Sequence, residues 1–534
     1  MNLRRIVAAI TAVSTLPLAL VSIPAQADEA RAGGALPDGA AQQVEWGPCP
    51  IGAVADSAAQ CATFEAPKDY AHPEGEKISL TMSKIPAKGQ SRGVIAGNPG
   101  GPGGSALGMF RGDDNLPNTV KLPDSVREHY DLVAVQPRGL PWGTPLECMP
   151  PGMGELGLAE VSYELCEVQQ PGYARTVNTE NTARDLEEAR KILGQDRLNL
   201  YGVSYGTVLM STYATLFPQH TGKTMLDSSM NPDDVWFQLG ASRKQGRIDA
   251  LNAMFAWIAE RNGEYGLGDT PLKVYKAWVA RVNEHTGLSA APLTPPPATE
   301  ADIPAGSSVG ELALSGVNLS EQVRWRLHRL LAPLESTKRL AEGEALGLAW
   351  ILLVTDGALY NQNSWPRVAE SLKQNAIVAD PLEQNLIARV QGLDGEQQAE
   401  FAQGVSEQGK GTKHVDKAVT CNENRTPLDA SRTIPALVET AAGDVIRANE
   451  DNIASGLHCA GWPEPTPLLW ANGDALETKP LLVGYDHDSA TTGEGNYAMQ
   501  RAMGGELHVL PGYSHGVMIR NPEAVEEQVA AYFS

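Results

Sequence analysis

A serine lies on a sharp turn between two apolar segments of the 534-residue chain. The turn, residues 202–206, reads Gly-Val-Ser-Tyr-Gly; the pattern before it is typical of a strand, and residues 207–217 have helical spacing up to Pro218. A serine on such a turn projects its hydroxyl above the sheet, and the flanking glycines remove Cβ atoms that would clash there. The amino end of the following helix also presents unpaired N–H groups to an oxyanion. Ser204 is therefore the predicted nucleophile.

A nucleophilic serine needs a neutral imidazole to take its proton and a carboxylate to orient that imidazole. His515 follows the last predicted strand on a glycine-containing turn near the carboxyl end of the chain. Asp488 is the preferred acid because a few residues separate it from its strand, which lets the chain turn toward the histidine. Asp486 and Asp474 stay open as alternatives. The order Ser, acid, His is that of α/β-hydrolases.

Two backbone N–H groups are expected to form an oxyanion hole for the reaction. One belongs to Tyr205, the residue after the nucleophile. The other belongs to a glycine-rich loop, residues 98–105, that follows another predicted strand. Gly101 is the predicted donor in this loop, since the neighbouring Pro102 has no N–H.

The segments around these residues alternate between strand and helix patterns. Besides the strand before Ser204, buried strands are predicted at residues 93–97, 130–135, 223–227, 480–484 and 506–510, and an antiparallel edge strand at 77–83. A helix is predicted over 181–193, with Thr182 and Asp185 as its capping box. This alternation predicts an α/β-hydrolase fold, with a mainly parallel sheet flanked by helices.

Long helical patterns interrupt the alternation between residues 235 and 417 and predict an inserted helical cap. They include residues 248–259, 272–285 and 319–331, and a Pro/Ala-rich run at 289–308 is expected to be a surface loop. The strand pattern is expected to return at Ala418. The predicted organisation is a signal peptide at 1–27, the first part of the hydrolase core at 28–234, the cap at 235–417 and the rest of the core at 418–534.

The amino-terminal segment and the charge predict an exported protein. Residues 1–27 have two arginines, an apolar run and an Ala-Gln-Ala cleavage site, as secretory signal peptides do. No later stretch is apolar and long enough to span a bilayer, so no stable membrane association is expected. The formal net charge of -22 makes nucleic acid an improbable partner.

Six cysteines fall into three local pairs, and export makes disulfides the expected state. Proximity in sequence is the only ground for this pairing among those that six cysteines allow. None resembles a nucleophile, and no metal-binding motif or cofactor is indicated. The predicted pairs are Cys49 with Cys61, Cys148 with Cys166, and Cys421 with Cys459.

Several motifs together resemble one family. They are residues 98–103 (Asn-Pro-Gly-Gly-Pro-Gly), 136–139 with 144–148, 202–206, 459–463 (Cys-Ala-Gly-Trp-Pro), and the tail that contains Asp488 and His515. The chain resembles secreted tripeptidyl aminopeptidases, α/β-hydrolases related to proline iminopeptidases that have a helical cap and a distinctive carboxyl-terminal segment. The resemblance implies Ser204, Asp488 and His515 as the triad, and release of short peptides from free amino termini. Gln136, Pro141 and Gly143 depart from the family pattern in one loop near the site.

The substrate is therefore expected to be a peptide, or a small molecule in the alternatives that remain open. These are an esterase, amidase or tailoring hydrolase on the same fold, and a binding protein without catalysis. An exopeptidase of this kind must bind a protonated amino terminus, which needs carboxylates. Glu423 is a candidate because Cys421 would tether its loop, although a solvated loop acid is an equal alternative. The oligomeric state is not indicated.

Overall fold

The computed structural model describes residues 42–53, 58–110, 119–148, 161–234, 236–286, 293–306, 310–341, 350–423, 428–441, 448–466 and 468–534. The predicted signal peptide lies outside these residues. One sheet organises the described chain. Its strands are β1 (Gly47–Pro48), β2 (Gln60–Pro67), β3 (Lys77–Ile85), β4 (Val94–Asn98), β5 (Asp131–Val135), β6 (Leu198–Val203), β7 (Thr221–Asp227), β8 (Leu481–Tyr485) and β9 (Glu506–Leu510).

The sheet is antiparallel at one edge and parallel through the remainder. The strand order is β1-β2-β3-β5-β4-β6-β7-β8-β9, and β1, β2, β3 and β5 pair antiparallel in succession. From β5 through β4, β6, β7 and β8 to β9, every pairing is parallel. This is the predicted α/β-hydrolase architecture. The parallel strands also bring their carboxyl ends to one edge of the sheet, where such folds bind their ligands.

The central strands are buried on both faces, as their continuous apolar sequences predict. Along β6, Leu198 and Leu200 pack into one apolar cluster, while Tyr201 and Val203 pack into the cluster on the opposite face. Successive side chains of a strand point to opposite faces, which accounts for the alternation. Helices contribute side chains to both clusters and so cover both faces of the sheet.

The helices of the described residues are, in chain order, α1 (Asp124–Arg127), α2 (Tyr163–Gln169), α3 (Tyr173–Thr176), α4 (Thr179–Ile192), α5 (Tyr205–Leu216), α6 (Phe237–Glu260), α7 (Asn262–Tyr265), α8 (Pro271–Thr286), α9 (Glu311–Ala341), α10 (Trp350–Leu359), α11 (Trp365–Gln374), α12 (Pro381–Gln391), α13 (Gly395–Glu423), α14 (Ala430–Ala441), α15 (Ala448–Ala454), α16 (Thr492–Met503), α17 (Val517–Arg520) and α18 (Glu526–Phe533). None of these helices combines the length and apolar character that a membrane crossing requires.

The start of α4 differs from the predicted capping box. Asn178 is the N-cap residue, and its side chain accepts a hydrogen bond from the Asn181 N–H. Asp185 is buried instead and pairs with Arg138, whose Nε and Nη2 lie 2.8 and 2.6 Å from the two carboxylate oxygens. The capping prediction was wrong because a charge partner distant in sequence determines the position of this carboxylate.

Helices α6 to α15 lie in sequence between β7 and β8, and are called here the inserted helices. Five of them (α6, α7, α8, α10 and α11) bury an apolar cluster of their own around Phe255 and Trp278. The expected return of strands at Ala418 was wrong, because α13 runs through this point and the predicted boundary at 417/418 falls inside it. Ala418 and Val419 pack into a cluster on the sheet, and such a short buried apolar run does not distinguish helix from strand.

Candidate active site

Ser204 lies between β6 and α5, at the carboxyl end of a central strand. Its backbone has φ 60° and ψ -129°. A Cβ at Gly202 would lie 2.3 Å from the carbonyl oxygen of Gly206, and a Cβ at Gly206 would lie 2.4 Å from that of Asn98. The close approach of three chain segments therefore requires glycine on both sides of the serine.

His515 contacts the preferred acid of the three candidates. Its Nδ1 lies 2.7 Å from Oδ2 of Asp488, which is only 1% exposed. Asp486 is exposed and accepts a hydrogen bond from the Gly512 N–H, which fixes the turn rather than the histidine. Asp474 is also exposed, in the segment before β8. Of these carboxylates, the structure brings Asp488 to the imidazole.

The surroundings of Asp488 favour its ionised form. Burial raises the pKa of this carboxyl group, but the charge and hydrogen bond of His515 and the N–H groups of Ala490 and Thr491 outweigh burial, so the pKa lies below its usual value. The two N–H groups donate to Oδ1 at 2.7 and 3.1 Å. A carboxylate bound to Nδ1–H leaves Nε2 of the imidazole as the proton acceptor.

The carboxyl end of β7 anchors both sides of the site. The carboxylate of Asp227 accepts hydrogen bonds from the N–H groups of Val517 and Met518 at 2.8 and 3.0 Å, and its carbonyl oxygen accepts one from the Ser204 N–H at 3.0 Å. Ser228 Oγ accepts another from the Gly516 N–H at 2.9 Å. Sequence reasoning missed these residues; the only available signal was a run of polar residues directly after a predicted buried strand.

Ser204 and His515 line the same cavity, whose volume is about 420 Å³. Inserted helices contribute to its wall: Tyr360 follows α10, and its ring meets the imidazole edge-on with centroids 6.0 Å apart. The carbonyl oxygen of Tyr360 also accepts a hydrogen bond from the His515 N–H at 3.1 Å. Val405 and Gln408 of α13 form a further part of the wall. The cavity thus lies between the sheet edge and the inserted helices.

The glycine-rich loop lies against the serine turn. A Cβ at Gly100 would lie 2.9 Å from Cβ of Ser204 and 3.0 Å from the nitrogen of Tyr205. Within the described chain, the N–H groups of Tyr205 and Gly101 donate no hydrogen bond. Gly100 lies against the serine turn, but its own N–H already donates to the Asn98 side chain at 2.9 Å. Because that N–H is occupied, Gly101 stays the candidate donor.

The loop that departs from the family pattern joins the core to α13. Oε1 of Gln136 accepts a hydrogen bond from the Ala106 N–H at 2.8 Å, and its Nε2 lies 3.3 Å from Oε1 of Gln408. Trp142, which has φ 66°, lines the cavity. Gln136 thus contacts Gln408 of the cavity wall, and the contact between His515 and Asp488 is intact.

Glu423 lies in a different environment from the one predicted. It ends α13 and is only 5% exposed, so the solvated-loop alternative was wrong. Its two carboxylate oxygens accept hydrogen bonds from the Thr179 N–H at 2.6 Å and the Trp236 Nε1–H at 3.1 Å. It is not among the described residues that line the cavity. Both oxygens connect protein segments, so a substrate amine has no free acceptor here.

The same three cysteine pairs that proximity predicts are bonded in the structure: Cys49–Cys61, Cys148–Cys166 and Cys421–Cys459. His458 lies beside the third pair, and these three residues are the one close group of metal-ligand types found in the described chain. The disulfide removes both thiolates that such a site would use as ligands.

Two protein families match the sequence. The α/β hydrolase fold family matches residues 97–263, and the TAP-like protein family matches residues 445–534. Residues 97–263 thus resemble the α/β hydrolase fold family, and residues 445–534 resemble the TAP-like protein family. Ser204 falls in the first matched segment, and Asp488 and His515 fall in the second.

Curated relatives with three different names are similar to the chain. It is 31% identical over 254 residues to tripeptidyl aminopeptidase from Streptomyces lividans, an alignment that covers 43% of this chain and 47% of that protein. It is 25% identical over 531 residues to serine protease Hip1 of Mycobacterium tuberculosis, an alignment that covers 92% of this chain and 88% of that protein. It is 26% identical over 499 residues to carboxylesterase B of the same organism, an alignment that covers 89% of this chain and 84% of that protein. The chain thus spans about half the length of the aminopeptidase it matches.

Proposed function

We propose that this hydrolase is a serine exopeptidase that works through an acyl-enzyme. The observation that carries the proposal is the pairing of His515 with a buried Asp488 beside the cavity that Ser204 also lines. Ser204 is the proposed nucleophile, His515 the general base and Asp488 the residue that orients the imidazole. The proposed oxyanion donors are the N–H groups of Tyr205 and Gly101.

The proposed reaction has two stages. Oγ of Ser204 attacks the scissile carbonyl carbon while Nε2 of His515 takes its proton, and the oxyanion that forms binds to the two N–H groups. The intermediate collapses when the imidazolium gives the proton to the leaving amine, which breaks the C–N bond and leaves an ester on Ser204. Water activated by His515 then hydrolyses this ester and restores the free serine.

The proposed substrates are peptides with free amino termini, from which the enzyme releases short peptides, most simply tripeptides. The support is the likeness to relatives named tripeptidyl aminopeptidase and serine protease. The inserted helices close one side of the cavity through Tyr360 and Val405. A wall of this kind limits how many substrate residues fit before the scissile bond.

Glu450 replaces Glu423 as the proposed partner of the substrate ammonium: neither residue is among the described residues that line the cavity, but Glu450 has a carboxylate oxygen free to accept a hydrogen bond. It is 2% exposed, and its Oε2 is buried without a hydrogen-bond partner in the described chain. Its Oε1 lies 3.5 Å from Arg243, which donates to the hydroxyl of the cavity-lining Tyr360 at 3.4 Å. A buried carboxylate oxygen with no partner is unfavourable, and an ammonium would supply one.

The experiment compares a chromogenic tripeptide amide with its N-acetylated form, beside mono- and dipeptide amides and simple esters. The proposal predicts that the free tripeptide amide is the best amide substrate and that acetylation removes most of its turnover. Glu450→Gln should reduce the preference for the free amine by about tenfold, the loss expected for one charge-assisted hydrogen bond, while Glu423→Gln should retain it. Equal rates with and without the acetyl group would refute the amine requirement.

Esterase activity is the second candidate function, because a relative named carboxylesterase B aligns with 89% of the chain. The same triad hydrolyses esters and amides, so the ester substrates in the panel decide between them. Turnover of simple esters without any turnover of peptide amides would favour this alternative.

We further propose that the protein is exported after removal of residues 1–27. Its three disulfides are compatible with an oxidising compartment. Amino-terminal sequencing of protein recovered from culture medium tests this step, and a mature chain that begins at Asp28 is the expected result.

A further inference from the structure

Arg520 contributes the one permanently charged side chain among the described residues that line the catalytic cavity. Much of the lining is apolar and includes Met109, Val120 and Ile519. A guanidinium group in such surroundings loses hydration without a corresponding gain unless an anion joins it. A charged group of this kind is a candidate for recognising an anionic part of the substrate.

No carboxylate of the described chain forms an ion pair with Arg520. Its Nε is buried and donates no hydrogen bond among these residues. Burial lowers the pKa of Arg520, and the phenol of Tyr485 and the carboxylate of Asp380 oppose this effect from a distance. Asp380 is engaged elsewhere, since its Oδ1 accepts a hydrogen bond from the Leu382 N–H at 2.8 Å.

Arg138 shows what a satisfied buried arginine looks like in this protein. It is fully buried, and its Nε and Nη2 donate to both oxygens of Asp185 at 2.8 and 2.6 Å. This is the two-pronged arrangement in which a guanidinium matches a carboxylate. Arg520 lacks the corresponding anion inside the described chain and faces the cavity instead.

The backbone fixes Arg520 relative to the proposed base. It ends α17, the helix that begins directly after the His515 turn, and its N–H donates to the Gly516 carbonyl oxygen at 3.0 Å. The start of α17 is held by Asp227 through the N–H groups of Val517 and Met518. The backbone of Arg520 therefore occupies a defined position next to the His515 turn, and its side chain lines the same cavity as His515.

We infer that Arg520 determines specificity by binding a carboxylate of the substrate next to the scissile bond. The inference rests on the proposed function, because it assumes that Ser204 and His515 act in this cavity. The carboxylate has two chemical sources: an acidic side chain at the end of the released peptide, or the terminal carboxylate of a single leaving residue. Both present two oxygens to the guanidinium.

Two pairs of substrates distinguish these sources. The first pair is Ala-Ala-Glu p-nitroanilide and Ala-Ala-Gln p-nitroanilide, which differ only in the side-chain charge beside the scissile bond. The second pair is tetra-alanine with a free carboxyl terminus and the same peptide as its carboxyl-terminal amide. For at least one pair, kcat/KM of the wild type should be about tenfold or more higher for the carboxylate, as one charge-assisted hydrogen bond implies.

Arg520→Gln should bring that ratio close to one, mainly through KM, and Arg520→Lys should retain part of it because lysine keeps the charge without the planar fork. Arg127→Gln is the matched control; Arg127 lines a separate hollow of about 180 Å³, so the ratio should stay at its wild-type value. If Arg520→Gln does not fold, the partial loss expected for Arg520→Lys still tests the proposal.

The outcomes separate this inference from the proposed function. Ratios near one in the wild type for both pairs, or wild-type ratios in Arg520→Gln, would overturn the role of Arg520 while leaving the nucleophile untouched. A loss in Arg520→Gln that is equal for both members of each pair would also overturn it, since it would indicate a structural effect. Hydrolysis that persists in Ser204→Ala would instead contradict the proposed function.

Discussion

At the scale of single residues, Ser204 combines an unfavourable backbone conformation with firm anchoring. Positive φ values for non-glycine residues in such regions cost on the order of 1–3 kcal/mol. Its N–H donates to Asp227, and its carbonyl oxygen accepts hydrogen bonds from the N–H and hydroxyl of Thr207 at 2.9 and 2.6 Å. These contacts hold the turn in place on the cavity wall before substrate binds.

Replacement of Asp488 by asparagine should lower kcat by about 10⁴-fold with little change in fold. The amide presents a donor to Nδ1 and favours the wrong imidazole tautomer, which has an effect of about this size in serine proteases. Steady-state kinetics and circular dichroism measure the two quantities.

Asp486→Asn is the control, because this neighbouring carboxylate has an exposed side chain and contacts the Gly512 N–H. It should reduce kcat by less than about tenfold, since it loses a hydrogen bond outside the triad. A larger loss at Asp486 than at Asp488 would reassign the acid.

Glu423 should make folding stability depend on pH. Burial raises the pKa of this carboxyl group from 4.5 to about 7, although the hydrogen bonds from Thr179 and Trp236 oppose the change. The folded state then binds a proton that the unfolded state has released, so the stabilising contribution is full below about pH 4.5 and is lost as pH rises to about 7. The difference corresponds to roughly 3 kcal/mol.

Chemical denaturation of the wild type and Glu423→Gln between about pH 4.5 and 8 tests this prediction. The variant lacks the titrating group, so its free energy of unfolding should fall less across this range than that of the wild type. Parallel curves for the two proteins would contradict the raised pKa of Glu423.

The local sequence was sufficient to propose the residues of the triad and insufficient to find the residues that hold them. Ser204, Asp488 and His515 each follow a strand with a recognisable pattern. The positions of Ser228 and Tyr360 depend on contacts between segments far apart in the chain, and the carboxylate of Glu423 was misjudged for the same reason. Single-sequence patterns do not record such contacts.

At the scale of elements, the end of β7 connects the serine turn with the histidine turn. Asp227→Asn should therefore lower both stability and kcat, because an amide has a single acceptor oxygen for the three groups that now donate to the carboxylate, the N–H groups of Val517 and Met518 and the hydroxyl of Tyr201. Loss of one hydrogen bond to a charged group costs about 1.5–3 kcal/mol. Thermal melts and kcat are the measurements.

Asp131→Asn provides the comparison for the β7 variant. This carboxylate, at the start of β5, accepts one hydrogen bond from the Ala87 N–H at 2.8 Å. It should change stability alone, since β5 presents its other end to the site. Wild-type kcat in the Asp227→Asn enzyme would show that the Asp227 carboxylate at the end of β7 does not position the site.

Strands and helices were predicted correctly where the apolar residues had a clear periodicity. The predictions failed where contacts between distant segments determined the secondary structure. The strands at 131–135 and 506–510 match their predicted ranges within one residue. The predicted helix at 319–331 is part of the much longer α9, Glu311–Ala341. The passage of α13 through residues 417 and 418 was not predicted, because its buried end packs on the sheet and resembles a strand in sequence.

At the scale of the whole molecule, the disulfides secure the periphery of the sheet and the end of α13. They join residues separated by 12, 18 and 38 positions. A loop of about 15 residues contributes roughly 3 kcal/mol in the chain-entropy description. Reduction should therefore lower the melting temperature, and non-reducing peptide mapping should recover the same three pairs. Free thiols in exported protein would contradict the pairing.

The sheet architecture was predictable from alternating strands and helices, whereas the arrangement of the inserted helices over the site was not. Their patterns gave helix positions in sequence but no indication that Tyr360 would meet His515. The chemical selectivity of the cavity depends on that arrangement, which is why the sequence left peptides and esters open as substrates.

Covalent labelling with a fluorophosphonate, followed by peptide mapping, tests the assignment of Ser204 most directly. The reagent reacts with an activated serine, so a single adduct on the peptide that contains Ser204 is expected, together with complete loss of turnover. Ser204→Ala should remain folded, take up no label and lose on the order of 10⁶ in rate. An adduct on another residue, or turnover that survives full labelling of Ser204, would contradict the account.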